Sequence, residues 1–344
     1  MRALTISAHG GLEQLQYRDD LPAPTIASPT DVLVRMKAAA LNRLDMFMLG
    51  GLPGITITPP WVVGSDGAGV VEAVGAGVTS VRVGDHVVLN PGRSCRHCEY
   101  CTSGDSPLCL HYGIAGEHFP GTLCEQLVVP EWYVAPIPPR IPFAEAAAFP
   151  LATLTAWRML VSRARLEPGE HVLIWGIGGG VALQALQIAK SIGAITWVTS
   201  GSDEKLARAK ALGADEVINH ARGDVGKEIR ARTGKRGVDV VVDSVGEKTW
   251  AQSLGALGKR GRLVTCGGTS GPRLEMDVRR LFWNQWTIMG STMGNEEEFA
   301  AATAWFAEGK IRAVVDSVHA LADGRAAYER LGSGAQFGKV VLEI

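Results

Sequence analysis

At 344 residues, with 46% hydrophobic and 20% charged residues, the chain has the composition of a globular protein and exceeds the size at which one core stops growing, about 250 to 300 residues, so two domains are expected. A formal net charge of −1 with no basic run argues against nucleic acid or anionic lipid as partners, and no apolar stretch reaches the ~18 residues of a membrane span. The opening MRALTISAHGG lacks a signal-peptide pattern, and the expected location is the cytoplasm.

Residues 1–150 read as short strands separated by turns. Val32 to Lys37 alternates, Gly67 to Val74 is small and β-branched, and Asp85 to Leu89 follows the turn Val83-Gly84-Asp85. Within this β-rich half, Cys95, Cys98, Cys101 and Cys109 lie on one short loop with gaps of two, two and seven residues. Four thiolates so spaced can wrap one tetrahedral zinc closed to water. The long last gap misfits ferredoxin spacing, and disulfides are disfavoured in a large unsecreted chain. Arg93, Arg96 and His97 place positive charge beside the loop, where it favours thiolate over thiol. One structural zinc per chain is the expectation, and Cys124 and Cys266 read as small core residues.

From Glu170 the period changes to strand then helix, repeated. Strands are expected at His171 to Trp175, Ile195 to Thr199, Glu216 to Ile218, Val238 to Asp243 and Arg262 to Cys266. Helices are expected near Val181 to Ile192, Glu204 to Leu212, Val225 to Thr233 and Thr249 to Leu257. Such alternation implies a parallel, doubly wound sheet of the Rossmann kind, because parallel strands need long crossovers and are buried on both faces. A last strand at Thr287 to Met289 extends it, and the tail, ending in a strand at Lys339 to Glu343, is expected to return to the first domain. The fold class is thus α/β, with a first domain over 1–150 completed by 291–344 and a dinucleotide-binding domain over 151–290.

The first strand runs into Gly176-Ile-Gly178-Gly179-Gly180-Val181 and then a helix, the setting in which glycines let the backbone approach a pyrophosphate and helix N–H groups face it. An acid at the end of the second strand would bind a ribose 2′-hydroxyl and repel a 2′-phosphate. Here that end is Thr199-Ser200-Gly201-Ser202, with Lys205 one turn on, so NADP(H) is favoured over NAD(H), although Asp203 and Glu204 put negative charge nearby. Further cofactor contacts are expected at the strand ends, from His220, Val245 and Gly246, Cys266 and Gly267, and Ser291 and Thr292, and from Thr155 and Lys339.

These parts in this order resemble the medium-chain dehydrogenase/reductase superfamily, which includes zinc alcohol dehydrogenases and quinone oxidoreductases. Besides the cysteines, the matching stretches are Gly64 to Gly75, Val83 to Val88, Ala207 to Ala214 and Phe337 to Leu342. The resemblance implies a GroES-like catalytic domain, a Rossmann domain, and dimers or tetramers of the one chain. It also exposes departures. Where the alcohol dehydrogenase branch holds a catalytic zinc through Cys, His and a second Cys or acid, this chain has Asn42, Ser65 and Leu151. The remaining Asp45 and Asp66 make a poor zinc site alone. The same substitutions look like the quinone oxidoreductase branch, as do Thr199 to Ser202, Lys205 and Asp243 to Trp250, while Phe47 stands where that branch often has a tyrosine.

Oxidising a simple alcohol by hydride transfer normally uses a metal to lower the hydroxyl pKa. A quinone or enone is already activated, and the protein need only orient it and stabilise the developing enolate. Asn42, Asp45, Ser65 and Asp66 are the candidate catalytic residues, with Asn42 and Ser65 as donors and Asp45 or water as proton relay. The alternative for all four is that they satisfy backbone groups. Trp61, Trp283 and Trp286 are candidates for an apolar substrate slot, for core, or for a subunit interface. The leading expectation is an NAD(P)H-dependent reductase of a small quinone, enone or activated carbonyl compound. The competing ones are an NAD(P)-dependent alcohol or aldehyde dehydrogenase, and a cofactor-binding protein without turnover.

Overall fold

The computed structural model describes residues 1–344 and divides into two compact units. The first comprises Met1–Leu154 and Gly294–Ile344, the second Thr155–Met293.

The first unit is built on a seven-stranded sheet. Its main path runs Val134–Pro136, His86–Leu89, Asp66–Val74, Asp31–Ala40, Lys339–Glu343, Val315–Ala320, and Gln126–Pro130 also pairs with Asp31–Ala40. Alternate burial along Asp31–Ala40 follows from the two-residue period of a strand with one face on the core, where Val34 and Met36 pack with Val71, Val87 and Leu127. Asp66–Val74 lies against it closely enough that a Cβ on Gly69 would come 2.3 Å from the Arg35 carbonyl oxygen, which explains a glycine there. The strand Lys339–Glu343 pairs antiparallel with Asp31–Ala40, so the C-terminal tail belongs to this sheet.

The second unit holds a six-stranded, wholly parallel sheet in the order Glu216–Asn219, Ile195–Ser200, His171–Ile174, Val238–Asp243, Leu257–Thr265, Thr287–Gly290. Numbered along the chain that is 3-2-1-4-5-6, the doubly wound arrangement whose order reverses between the first and fourth strands. Its core unites Leu173, Trp197, Val241 and Leu263 from the strands with Ile229 and Leu254 from the helices. The strand at Leu257–Thr265 starts earlier than expected and stops before Cys266. Helices at Arg43–Gly50, Val278–Asn284, Glu296–Ala307 and Gly324–Gly332, and the strand Val315–Ala320, had no counterpart in the periodicity argument. No helix is long and apolar enough to cross a membrane.

Candidate active site and cofactor cradle

Three of the four candidate catalytic residues meet in one cluster, joined by a lysine assigned to the cofactor from sequence. Asn42 ends the strand-to-helix connection before Arg43–Gly50, and Asp66 begins the strand Asp66–Val74. The Asn42 amide donates to Asp66 Oδ2 at 2.9 Å, and Lys339 Nζ donates to the same oxygen at 2.7 Å and also to Asn42 Oδ1. Asp66 Oδ1 accepts the Leu151 backbone N–H at 2.7 Å. Asp66 is wholly buried and Lys339 is 5% exposed, so this is an ion pair removed from water, held by further hydrogen bonds as such pairs must be. Lys339, assigned from sequence to the cofactor, thus lies in the first unit bonded to Asn42 and Asp66. The physical reason is that a buried ammonium requires a buried anion.

Asp45 accepts the Asn42 N–H at 2.6 Å from the first turn of the helix it caps. Burial pushes its carboxyl up to about 7, opposed by that N–H and by Lys339. The Tyr328 hydroxyl, buried without a hydrogen bond, is also pushed upward, by burial first and by the Asp45 charge second. Ser65 is 1% exposed and its hydroxyl donates to the Ala115 carbonyl at 2.8 Å. The expectation that Asn42 and Ser65 offer free donors is corrected accordingly: the Asn42 amide hydrogens serve Asp66 and the Ala40 carbonyl, and the Ser65 proton serves Ala115. Two of the three ammonium hydrogens of Lys339 are spent in the cluster, which leaves one.

The four lobe cysteines present sulfurs that all lie within 4.8 Å of one another. Cys95 and Cys101 are 3.9 Å apart and Cys98 and Cys101 3.5 Å, close to the ~3.8 Å edge of a tetrahedron with ~2.3 Å zinc–sulfur bonds. The Cys109 sulfur accepts N–H groups from Cys95 at 3.4 Å and His111 at 3.3 Å. Without a cation the sulfurs compete for charge. Cys95 is held down to about 6, chiefly by the His97 N–H, whereas Cys98, although the Cys101 N–H favours its thiolate, is driven up to about 11 by desolvation and the adjoining sulfurs. A divalent cation resolves that conflict, and the donor set fits zinc. Among the described residues this is the one grouping of three or more potential metal-binding His, Cys, Asp or Glu side chains. Arg93 and Arg96 point at aromatic faces, Arg93 over Phe119 at 3.8 Å and Arg96 over Trp132 at 4.5 Å.

In the second unit the glycine turn follows His171–Ile174 and opens the helix Gly180–Ile192. Gly176 and Gly178 have φ of 71° and 121°, and a Cβ on Gly176 would meet nothing within 4 Å, so the turn is open on the side a ligand would take. Gly179 supplies no side-chain cap and the first helical turn, with Gly180 and Val181, carries no acid, leaving N–H groups and a positive dipole end for an anion. Thr199 ties the second strand to this turn, accepting the Gly176 N–H on its hydroxyl at 3.2 Å and the Ile177 N–H on its carbonyl at 2.7 Å. His220 approaches the same hydroxyl at 3.3 Å, burial lowers its pKa, and a Cβ on Gly201 would stand 3.4 Å from its ring. Ser200 accepts the Ser202 N–H, and Ser202 caps the next helix by accepting the Lys205 N–H. The acidic Asp203 is answered by Asn219 at 2.7 Å and by Arg222, two partners that the sequence argument missed.

The remaining strand ends behave as follows. Asp243, wholly buried, shapes the turn after the fourth strand by accepting N–H groups from Val245 at 2.8 Å and Gly246 at 3.1 Å, with Thr249 and Ser253 on its other flank. Burial pushes the Cys266 thiol up to about 12, so beside Gly267 it stays uncharged. Ser291 and Thr292 follow the outer strand, and the Ser291 hydroxyl is buried without a partner. The Thr155 hydroxyl meets the Met293 sulfur at 3.9 Å. Trp286 is buried, its N–H on the Gly258 carbonyl, and the Trp61 N–H reaches the Gly116 carbonyl, whereas Trp283 is 78% exposed.

Residues 28–139 match the family profile described as alcohol dehydrogenase GroES-like domain, and 180–308 match that described as zinc-binding dehydrogenase. A zinc-type alcohol dehydrogenase-like protein of Schizosaccharomyces pombe is 34% identical over 342 residues, covering 97% of this chain and 96% of its own length. The chain belongs to the medium-chain dehydrogenase/reductase superfamily. A quinone oxidoreductase of Pseudomonas aeruginosa from the same superfamily is 32% identical over 353 residues, with 99% of both chains covered. A crystal structure of an NAD-dependent alcohol dehydrogenase matches with a TM-score of 0.96 and 43% identity over 100% of each chain. Against this superfamily background the departures at Asn42, Ser65 and Leu151 gain a spatial meaning. Asn42 and the Leu151 backbone both bond to Asp66, the residue after Ser65, so the three positions converge without offering a thiolate or an imidazole.

Proposed function

We propose that this oxidoreductase of the medium-chain superfamily reduces a quinone, an enone or another activated carbonyl compound with NADPH, and that its zinc is confined to the cysteine lobe. The observation that carries this reading is the convergence of Asn42, Asp66, Lys339 and Leu151 in place of a soft-ligand metal site. When bound, NADPH supplies the hydride. The chain's own part is electrostatic: a buried ammonium, fixed by Asn42 and Asp66, adds positive potential where an enolate gathers charge. Asp45, with its carboxyl near 7, holds a proton that can move at neutral pH. The glycine turn supports pyrophosphate binding. Ser200, Gly201 and Ser202, with Asp203 answered by Arg222, support the extra phosphate of NADPH over the bare ribose of NADH.

The exposed Phe282 and Trp283, at 62% and 78%, beside the outermost strand Thr287–Gly290, support a homo-oligomer. The test of function is consumption of NADPH and NADH against quinones, enones, aldehydes and ketones, with zinc counted on the same sample. Turnover of quinones or enones with NADPH at one zinc per chain is expected. The 43% identity to an NAD-dependent alcohol dehydrogenase favours a second reading, which would prevail if NAD and simple alcohols turned over at two zincs per chain. Silence across the panel would sink both.

A further inference from the structure

Arg93 is a cation with no carboxylate bonded to it, the Asp31 charge acting on it only from beyond ion-pair distance. It lies in the short strand Gly92–Arg93 of the first unit, its guanidinium carbon 3.8 Å from the ring centre of Phe119 and 5.3 Å from that of Tyr133. Such stacking fixes the plane of the group while leaving the N–H donors at its edge. Among the described residues it makes no hydrogen bond and no ion pair. The groups around it are already engaged. Asp31 accepts the N–H groups of Ala27 and Ser28 at 3.0 and 2.8 Å, and the Tyr133 hydroxyl exchanges hydrogen bonds with the backbone of Ser94.

Arg93 lines a cavity of about 220 Å³ whose other walls are chiefly apolar, with Pro24, Val62, Pro120, Leu127 and Val128 among them. Of the polar lining groups, the Cys124 thiol faces the carbonyls of Gly121 and Gln126, one Gln126 amide hydrogen goes to Glu72, and the Met1 ammonium donates to the Leu21 carbonyl. Arg93 is the one planar cation at the edge of a chiefly apolar hollow. A planar carboxylate matches the fork of a guanidinium, and an apolar body matches the walls. The volume lies below the ~300 Å³ at which drug-sized pockets begin, which suits a small acid and excludes a dinucleotide. None of Asn42, Asp45, Asp66 or Lys339 lines this cavity.

We propose that this cavity is a binding site for a small monocarboxylate with an aromatic or branched apolar body, its carboxylate on Arg93 and its body against Val62, Pro24 and Val128. The site is separate from the lysine-centred cluster and independent of the reaction assigned to it. The test uses the zinc-loaded full chain and 4-fluorobenzoate followed by fluorine NMR. Line broadening that benzoate reverses and benzyl alcohol does not is expected, since the neutral analogue keeps the body and lacks the charge. Arg93→Met should weaken binding about tenfold or more by removing the fork. Val128→Phe, which fills the hollow without touching Arg93, should abolish it while leaving NADPH affinity unchanged. Absence of broadening, reversal by benzyl alcohol as effective as by benzoate, or equal binding in the variants would overturn the proposal. If Arg93→Met loses its zinc or its fold, Val128→Phe decides alone, loss of binding supporting the site and unchanged binding refuting it.

Discussion

A lysine ammonium held away from water must be answered by an anion, and Lys339 is answered by Asp66 with Asn42 alongside. Removing one partner strands the other, so Lys339→Met should cost about 3 to 5 kcal/mol in urea unfolding, and adding Asp66→Asn should recover much of it. Asp45 makes a prediction of opposite character. Its folded pKa, about 7, lies above the ordinary aspartate value of 3.8, so the folded state keeps a proton that the unfolded chain releases. Its contribution is therefore full at low pH and is lost as pH climbs from about 4 to about 7, by at most ~1.4 kcal/mol per pH unit. Asp45→Asn lacks this titration, and unfolding both proteins at pH 5 and pH 8 should show the variant gaining on the parent as pH rises; parallel behaviour would refute the assignment. These residues were legible as chemistry but not as bonds. Asn42, Asp45 and Asp66 stood out by their types, yet the pairing of Asp66 with Lys339 joins residues 273 apart in sequence, which no local pattern announces. One local signal was there to be used: Asn42 followed three residues later by Asp45, ahead of an apolar run, is the pattern of a helix start.

At the level of elements, the second unit was the easier to read, because each strand such as Val238–Asp243 is a continuous apolar run and each helix an amphipathic one. The first unit was harder. Its short strands announce themselves by alternation, but their pairing partners are distant, as with Lys339–Glu343 beside Asp31–Ala40. The helix Glu296–Ala307 went unanticipated although Asn295 and Glu298 form a full capping box, with bonds of 2.7 Å in each direction. Its first residue serves the zinc lobe. Glu296 accepts the Ser94 hydroxyl at 3.3 Å and the Ser106 hydroxyl at 2.9 Å, and Asn295 donates to the Gly104 carbonyl at 2.6 Å, so the cysteine loop is fastened to the helix start at three points. Hydrogen bonds to a charged group contribute about 1.5 to 3 kcal/mol. Glu296→Ala should accordingly release zinc to a chromophoric chelator several-fold faster while the rest of the chain stays folded; an unchanged rate would show the lobe to be self-sufficient.

For the whole molecule, the proposed function separates the metal from the chemistry. A zinc held by all four cysteines of the lobe would stabilise a fold and keep no open coordination position. Stripping it should lower the melting temperature, while protein still folded at low temperature should keep kcat/KM for its best substrate within about threefold. Proportional loss of activity with zinc would place metal in the reaction. The buried cluster around Asp66 also constrains how this chain could change. Replacing Asn42 with cysteine, a first step toward a second metal site, takes away an amide that donates to Asp66 and an oxygen that receives Lys339. The intermediate then carries a partly unanswered lysine, and an ammonium within reach of the incoming cation repels it. Lys339 would have to change before a metal gained any hold, so the shortest route in sequence is closed by electrostatics, and a lineage that has adopted this arrangement tends to stay in it.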